Sequence, residues 1–287
     1  MIMLLHPDTK TQLEQFVVKP SHAVLLVAPS GAGKRTLARH LAAQLLQITD
    51  ERLDGHPYFK TIASAEGKAI SIESVRDVTH FLTLRATSNE PVTRVVLIEN
   101  AGYMTHQAQN ALLKTIEEPP AGTVLILTAP SELDILPTIR SRVQSLTMRL
   151  PATAASRDYF LEAGYNETAT NRALMMSDGL PGLTQALLAG DESHPLVTAA
   201  ARARDILQKT TFERLLLIDD LAKQKQQLLD TLLIMQRIAE ISLQKQGSST
   251  ATLRRWHSVL AASHEAYAQI LASSQAKLVA LQFMLAI

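Results

Sequence analysis

Nine consecutive residues, Ala28-Pro29-Ser30-Gly31-Ala32-Gly33-Lys34-Arg35-Thr36, carry the densest chemistry in the chain. They follow the pattern of a phosphate-binding loop, where glycines permit a tight turn, backbone N–H groups and a helix N-terminus attract an anion, and a lysine reaches the phosphates. Gly31, Gly33 and Lys34 suit that chemistry. Ala28 stands where the pattern has its first glycine, and Arg35 stands where Ser or Thr would give a hydroxyl to Mg²⁺. A guanidinium has no lone pair to offer a metal. Thr36 comes one residue late, about 100° round a helix. A second acidic station, Glu99-Asn100, points the same way. Glu99 can reach a metal, but Asn100 has no carboxylate with which to accept a proton. The expected site is a degenerate nucleotide site, with ATP or ADP held without hydrolysis and with no metal ligand set.

Strands and helices must bring these stations together. Ala23 to Val27 reads as a compact strand feeding the loop, and Leu37 to Leu46 as the helix after it. Val95 to Ile98 is an apolar, β-branched run of the kind buried on both faces of a sheet, and it delivers Glu99. Thr105 can cap the next helix, which puts Ala108, Ala111, Leu112 and Ile116 on one face and stops at Pro119-Pro120. Val124 to Leu127 is a further buried strand ending at Thr128, whose hydroxyl either faces the site or makes a local backbone bond. Tyr58 to Ile62, a short Ile70 to Ile72 and Gln144 to Met148 complete the expected strands, with helices at Asp8 to Val18 and around Ile72, Val75, Val78, Phe81 and Leu82. Strand, helix, strand in this order predicts parallel pairing.

The segment NALLKTIEEPP, residues 110–120, followed by LPTIRSR, residues 136–142, resembles the core of the clamp-loader subunits in the AAA+ ATPase superfamily, those serving bacterial DNA polymerase III. The resemblance implies an α/β plus all-α chain: an AAA+ P-loop domain with a five-stranded parallel sheet over 1–149, a small helical lid over 150–191, and an all-helical C-terminal collar over 192–287. It implies that Arg142, the arginine of a Ser-Arg-Cys triplet in which Val143 replaces the cysteine, reaches a neighbouring subunit's ATP as an arginine finger in trans. The alternative for Arg142 is a surface salt bridge, and Arg140 is the weaker finger candidate. An active relative would carry Asp-Glu at Glu99-Asn100, a γ-phosphate sensor at Thr128 and a sensor arginine just after Gly182, where Leu183 and Thr184 stand. The resemblance therefore implies a non-motor, hydrolysis-deficient subunit assisting ATP-driven loading of the sliding clamp onto primed DNA. Its partners would be the other clamp-loader subunits of a hetero-pentamer, the clamp, and DNA through the assembled complex. The alternative is an active AAA+ ATPase using Glu99 and Thr36.

Composition sets the outer bounds. The 287 residues are 46% hydrophobic, enough for two or three packed domains, and 28 basic against 27 acidic residues leave a net charge of +1 that imposes no nucleic-acid partner. No cysteine is present, which excludes disulfides, thiol catalysis and the four-Cys zinc module that related subunits often carry; residues 48–57 run through without it. No run approaches the ~20 apolar residues of a membrane span. With no signal-peptide pattern at MIMLLHPDTK, a cytoplasmic location is expected. Ten of 11 glycines and 11 of 12 prolines lie at or before Gly190, so the remainder, with leucine patterns at 215–221 and 228–238, predicts helices, interrupted at Lys223 to Gln227 and at Gly247-Ser248-Ser249. Trp256, beside Arg254 and Arg255, suits either a core edge or an interface.

Overall fold

The computed structural model describes residues 3–64, 69–83, 91–244, 249–272 and 274–287. It divides into two compact units, with the boundary between Ala152 and Thr153.

The first unit is built on strands β1 (Ala23–Val27), β2 (Phe59–Ile62), β3 (Arg94–Ile98), β4 (Thr123–Ala129) and β5 (Gln144–Thr147), in the order β2-β3-β4-β1-β5 with every pair parallel. Its helices are α1 (Pro7–Val18), α2 (Lys34–Leu45), α3 (Ile72–Thr83), α4 (His106–Glu117) and α5 (Pro137–Arg140). β1, β3 and β4 are buried from end to end, which is why their apolar runs are continuous and not alternating. Leu25, Ile98, Leu125 and Leu127 meet Val75, Val78 and Leu82 of α3 and Ala108, Leu112 and Ile116 of α4 in one core. α4 starts as expected: the Thr105 hydroxyl accepts from the Ala108 N–H at 3.1 Å.

Two expectations change. α2 begins at Lys34, three residues early, because Gly33 takes up the left-handed conformation (φ 88°) and lets the chain enter the helix at once. Ile70 to Ile72 is not a strand. Ile70 makes one bridge to Met104, and the Ser71 hydroxyl accepts from the Ser74 N–H at 3.4 Å, starting α3 at Ile72. Gly67 and Lys68, and Gly247 and Ser248 of the expected loop, lie outside the described residues.

The second unit is helical: α6 (Thr153–Glu162), α7 (Glu167–Ser177), α8 (Pro181–Ala189), α9 (Pro195–Gln208), α10 (Thr211–Leu216), α11 (Ile218–Ala222), α12 (Lys225–Gln244), α13 (Thr250–Leu271) and α14 (Ala276–Ala286). α12 packs on both α9 and α13, burying Leu228, Leu232, Met235 and Ala239 at helical spacing. α8 starts at Pro181, after Asp178 (φ 53°) and Gly179 (φ 69°) turn the chain. The leucine pattern at 215–221 spans two short helices that meet at Leu217. Trp256 is half-buried, with the Arg255 guanidinium 5.8 Å from its ring centroid. Among the described residues no helix is long and apolar enough to cross a membrane.

Candidate functional site

The register of the sheet gathers the expected stations. Leu26 lies opposite Thr128 and Ile98 opposite Leu127, so the loop after β1, the Glu99-Asn100 pair after β3 and the end of β4 share the carboxyl edge of the sheet. That edge is where open α/β folds place their ligand sites. Gly31 and Gly33 have φ of 87° and 88°, the conformation that the loop pattern requires of glycine. The first N–H groups of α2 have no acceptor within the helix.

Lys34 is buried, and its Nζ donates to the carbonyl oxygens of Ala28 at 2.6 Å and Pro29 at 3.0 Å. Burial pushes its pKa down to about 8, with Asp134 pulling it back only in part. Arg35 does more than leave a hydroxyl missing. Its Nε lies 3.0 Å from Oε1 of Glu99, an ion pair in which the carboxylate is nearly enclosed and the guanidinium mostly exposed. Burial raises the Glu99 pKa, and the charges of Arg35 and Arg39 oppose that rise. Arg39, one turn further along α2, also donates to Asp54 at 2.6 Å. Thr36 is exposed. Asn100 sits in the left-handed region (φ 49°), and its backbone N–H donates to the Thr128 hydroxyl at 2.8 Å, a bond between the ends of β3 and β4 and not the local one anticipated for Thr128.

These residues do not fit a divalent cation. Glu99 is already paired with a fixed positive charge, and Arg35 cannot ligate a metal. Among the described residues no group of three or more His, Asp or Glu side chains stands at metal-binding distance. The turn, the lysine and the helix N-terminus still suit an anion such as a phosphate.

Arg142 follows α5, on a different part of the unit. Its Nε pairs with Glu117 at 2.7 Å, and its Nη1 donates to the Thr138 carbonyl at 3.0 Å and the Ser141 hydroxyl at 3.2 Å. Arg140 differs: it is half-buried, and its Nε is enclosed without a partner among the described residues. Sequence reasoning missed two side chains here. Glu117 was only a letter in a motif, and buried Gln109, whose Oε1 accepts from the Leu136 N–H at 2.9 Å, ties α4 to the approach to α5. An uncharged polar residue beside Ala108 on the buried face of α4 was the available signal.

The family model described as DNA polymerase III, delta subunit, matches residues 6–152. The chain belongs to that family. Among curated relatives, the DNA polymerase III subunit delta' of Pseudomonas aeruginosa is 36% identical over 184 residues, 58% of this chain and 56% of that protein. The subunit delta' of Escherichia coli K12 is 31% identical over 204 residues, 65% of this chain and 60% of that protein. The chain thus spans about half the length of the curated relatives it matches. A Thermotoga maritima DNA polymerase III gamma subunit-related protein shares the fold at a TM-score of 0.58 and 18% identity, covering 96% of this chain and 97% of that one. The parallel five-stranded sheet followed by helices, expected from the sequence, is the observed architecture.

Proposed function

We propose that this chain is a non-motor, delta'-type subunit of a bacterial DNA polymerase III clamp loader, located in the cytoplasm. It would join a hetero-pentamer of clamp-loader subunits that opens the sliding clamp and loads it onto primed DNA. In this reading residues 1–149 form the P-loop domain, 150–191 the lid and 192–287 the collar, and Arg142 serves as the finger toward a neighbour's ATP. The family and its delta' members support the assignment to the complex.

The observation that carries the loss of hydrolysis is the Arg35–Glu99 pair, which joins the two positions at which an active site would hold its metal ligands. Asn100 adds that no carboxylate follows Glu99 to activate water. The loop keeps the features of an anion cradle, so ATP or ADP binding without turnover belongs to the proposal.

The test is Mg²⁺-dependent ATP turnover by the purified chain, with Lys34→Ala as control. No turnover above that control is expected. Turnover abolished by Lys34→Ala would overturn the reading in favour of an active ATPase using Glu99. In the reconstituted complex, Arg142→Ala is expected to depress DNA- and clamp-stimulated turnover at the one site it serves by on the order of 10³-fold. An unchanged rate at that site removes the finger.

A further inference from the structure

The guanidinium of Arg142 is held on two of its three nitrogens. Nε meets the Glu117 carboxylate at 2.7 Å, and Nη1 is shared between Thr138 and Ser141 at the end of α5. Among the described residues no bond occupies Nη2. Both partners of the pair are about half exposed, so the contact contributes little to stability. Its use lies in direction. Thr138 and Ser141 are near neighbours in the chain and move with Arg142, whereas Glu117 is the last residue of α4, a helix packed into the sheet core through Leu112 and Ile116. Gln109, at the other end of α4, accepts from Leu136 N–H and so holds the start of α5 to the same helix. One core helix therefore fixes α5 at its entry and the arginine at its exit.

We propose that Glu117 is a positioning residue for Arg142: it fixes Nε against the core helix so that Nη2 is presented outward to an anion. The inference rests on the reading of Arg142 as a finger and adds the group that aims it. A carboxylate suits the task because its negative charge holds the guanidinium at Nε against the core helix. The amide of glutamine retains the acceptor and loses only the charge.

The test uses the assembled clamp loader and the isolated full chain together. Glu117→Ala is expected to lower stimulated turnover at the served site by about 10-fold through kcat with KM for ATP unchanged, and Glu117→Gln to recover most of that loss. In an Arg142→Ala background, Glu117→Ala is expected to add nothing, since two residues acting through one group are not additive. In the isolated chain labelled with ¹⁵N-arginine, the Arg142 Nε–H signal, identified by its loss in Arg142→Ala, should exchange faster with solvent in Glu117→Ala. The proposal is overturned if Arg142→Ala lowers turnover and Glu117→Ala does not, or if Glu117→Ala lowers turnover equally with Arg142 absent. If Arg142→Ala itself has no effect, the finger reading fails first and the positioning role falls with it.

Discussion

Arg35 and Glu99 meet at 3.0 Å across the carboxyl edge of the sheet, and the carboxylate is the buried partner. Its pKa stays raised because burial outweighs the nearby positive charges of Arg35 and Arg39. A carboxyl group that binds its proton more tightly folded than unfolded favours the folded state below its unfolded pKa of 4.5, and that contribution is lost as pH rises through the folded value. Glu99→Gln should therefore raise the urea midpoint at pH 7 and leave it unchanged at pH 4. A lower midpoint at pH 7 would mean that the pair outweighs the burial.

Lys34 gives the opposite slope. Its pKa falls from 10.5 to about 8 on folding, so the unfolded chain binds the extra proton and stability should increase as pH rises from about 8 to about 10.5. The full linkage is on the order of 3 kcal/mol, at ~1.4 kcal/mol per pKa unit. Subtracting the denaturation curve of Lys34→Met from that of the parent chain, at matched pH, isolates this slope; parallel curves would show that Lys34 is as well solvated folded as unfolded.

Asp230 on α12 is buried, accepts from the Gln226 amide at 2.8 Å, and is pushed up to about 6, chiefly by burial and only partly relieved by Gln226 and the charge of Arg202. Folded above unfolded, this acid favours the folded state below pH ~4 and loses that contribution between pH ~4 and ~6. Asp230→Asn should raise the thermal midpoint of the second unit at pH 7.5, by an amount corresponding to roughly 2–3 kcal/mol, and should not raise it at pH 4. Differential scanning calorimetry at the two pH values distinguishes this from a change in packing, which would move both.

Gln109→Ala removes the acceptor of the Leu136 N–H and leaves that part-buried donor without its partner. The expected cost is about 1–3 kcal/mol in urea unfolding of the first unit. Gln109→Glu keeps an acceptor and should recover part of it.

The strands and the cap of α4 were legible because each rests on local rules. A continuous apolar β-branched run marks β3, and Thr105 three residues before Ala108 marks a cap. That Arg35 is the wrong residue type for a metal was legible too, since a guanidinium has no lone pair to offer. What the sequence did not show were partners. Nothing local pairs Arg35 with Glu99 or Gln109 with Leu136; those contacts arise from strand order and from the side of the sheet on which each helix lies. Ile70 to Ile72 failed for a different reason: three residues are too few for alternation to separate a strand from the lead into a helix. The early start of α2 was hidden in Gly33, whose left-handed conformation marks a loop in sequence and a helix entry in space.

The anchoring of Arg142 also has an entropic side. A free arginine side chain carries about 2 kcal/mol of rotamer entropy, which it would ordinarily lose on meeting a fixed anion. Here Glu117, Thr138 and Ser141 restrict those torsions while the chain folds. An anion that reaches Nη2 meets a side chain whose freedom has already been reduced. Less ordering is then left for the encounter itself, so more of the attraction between guanidinium and anion is retained as binding.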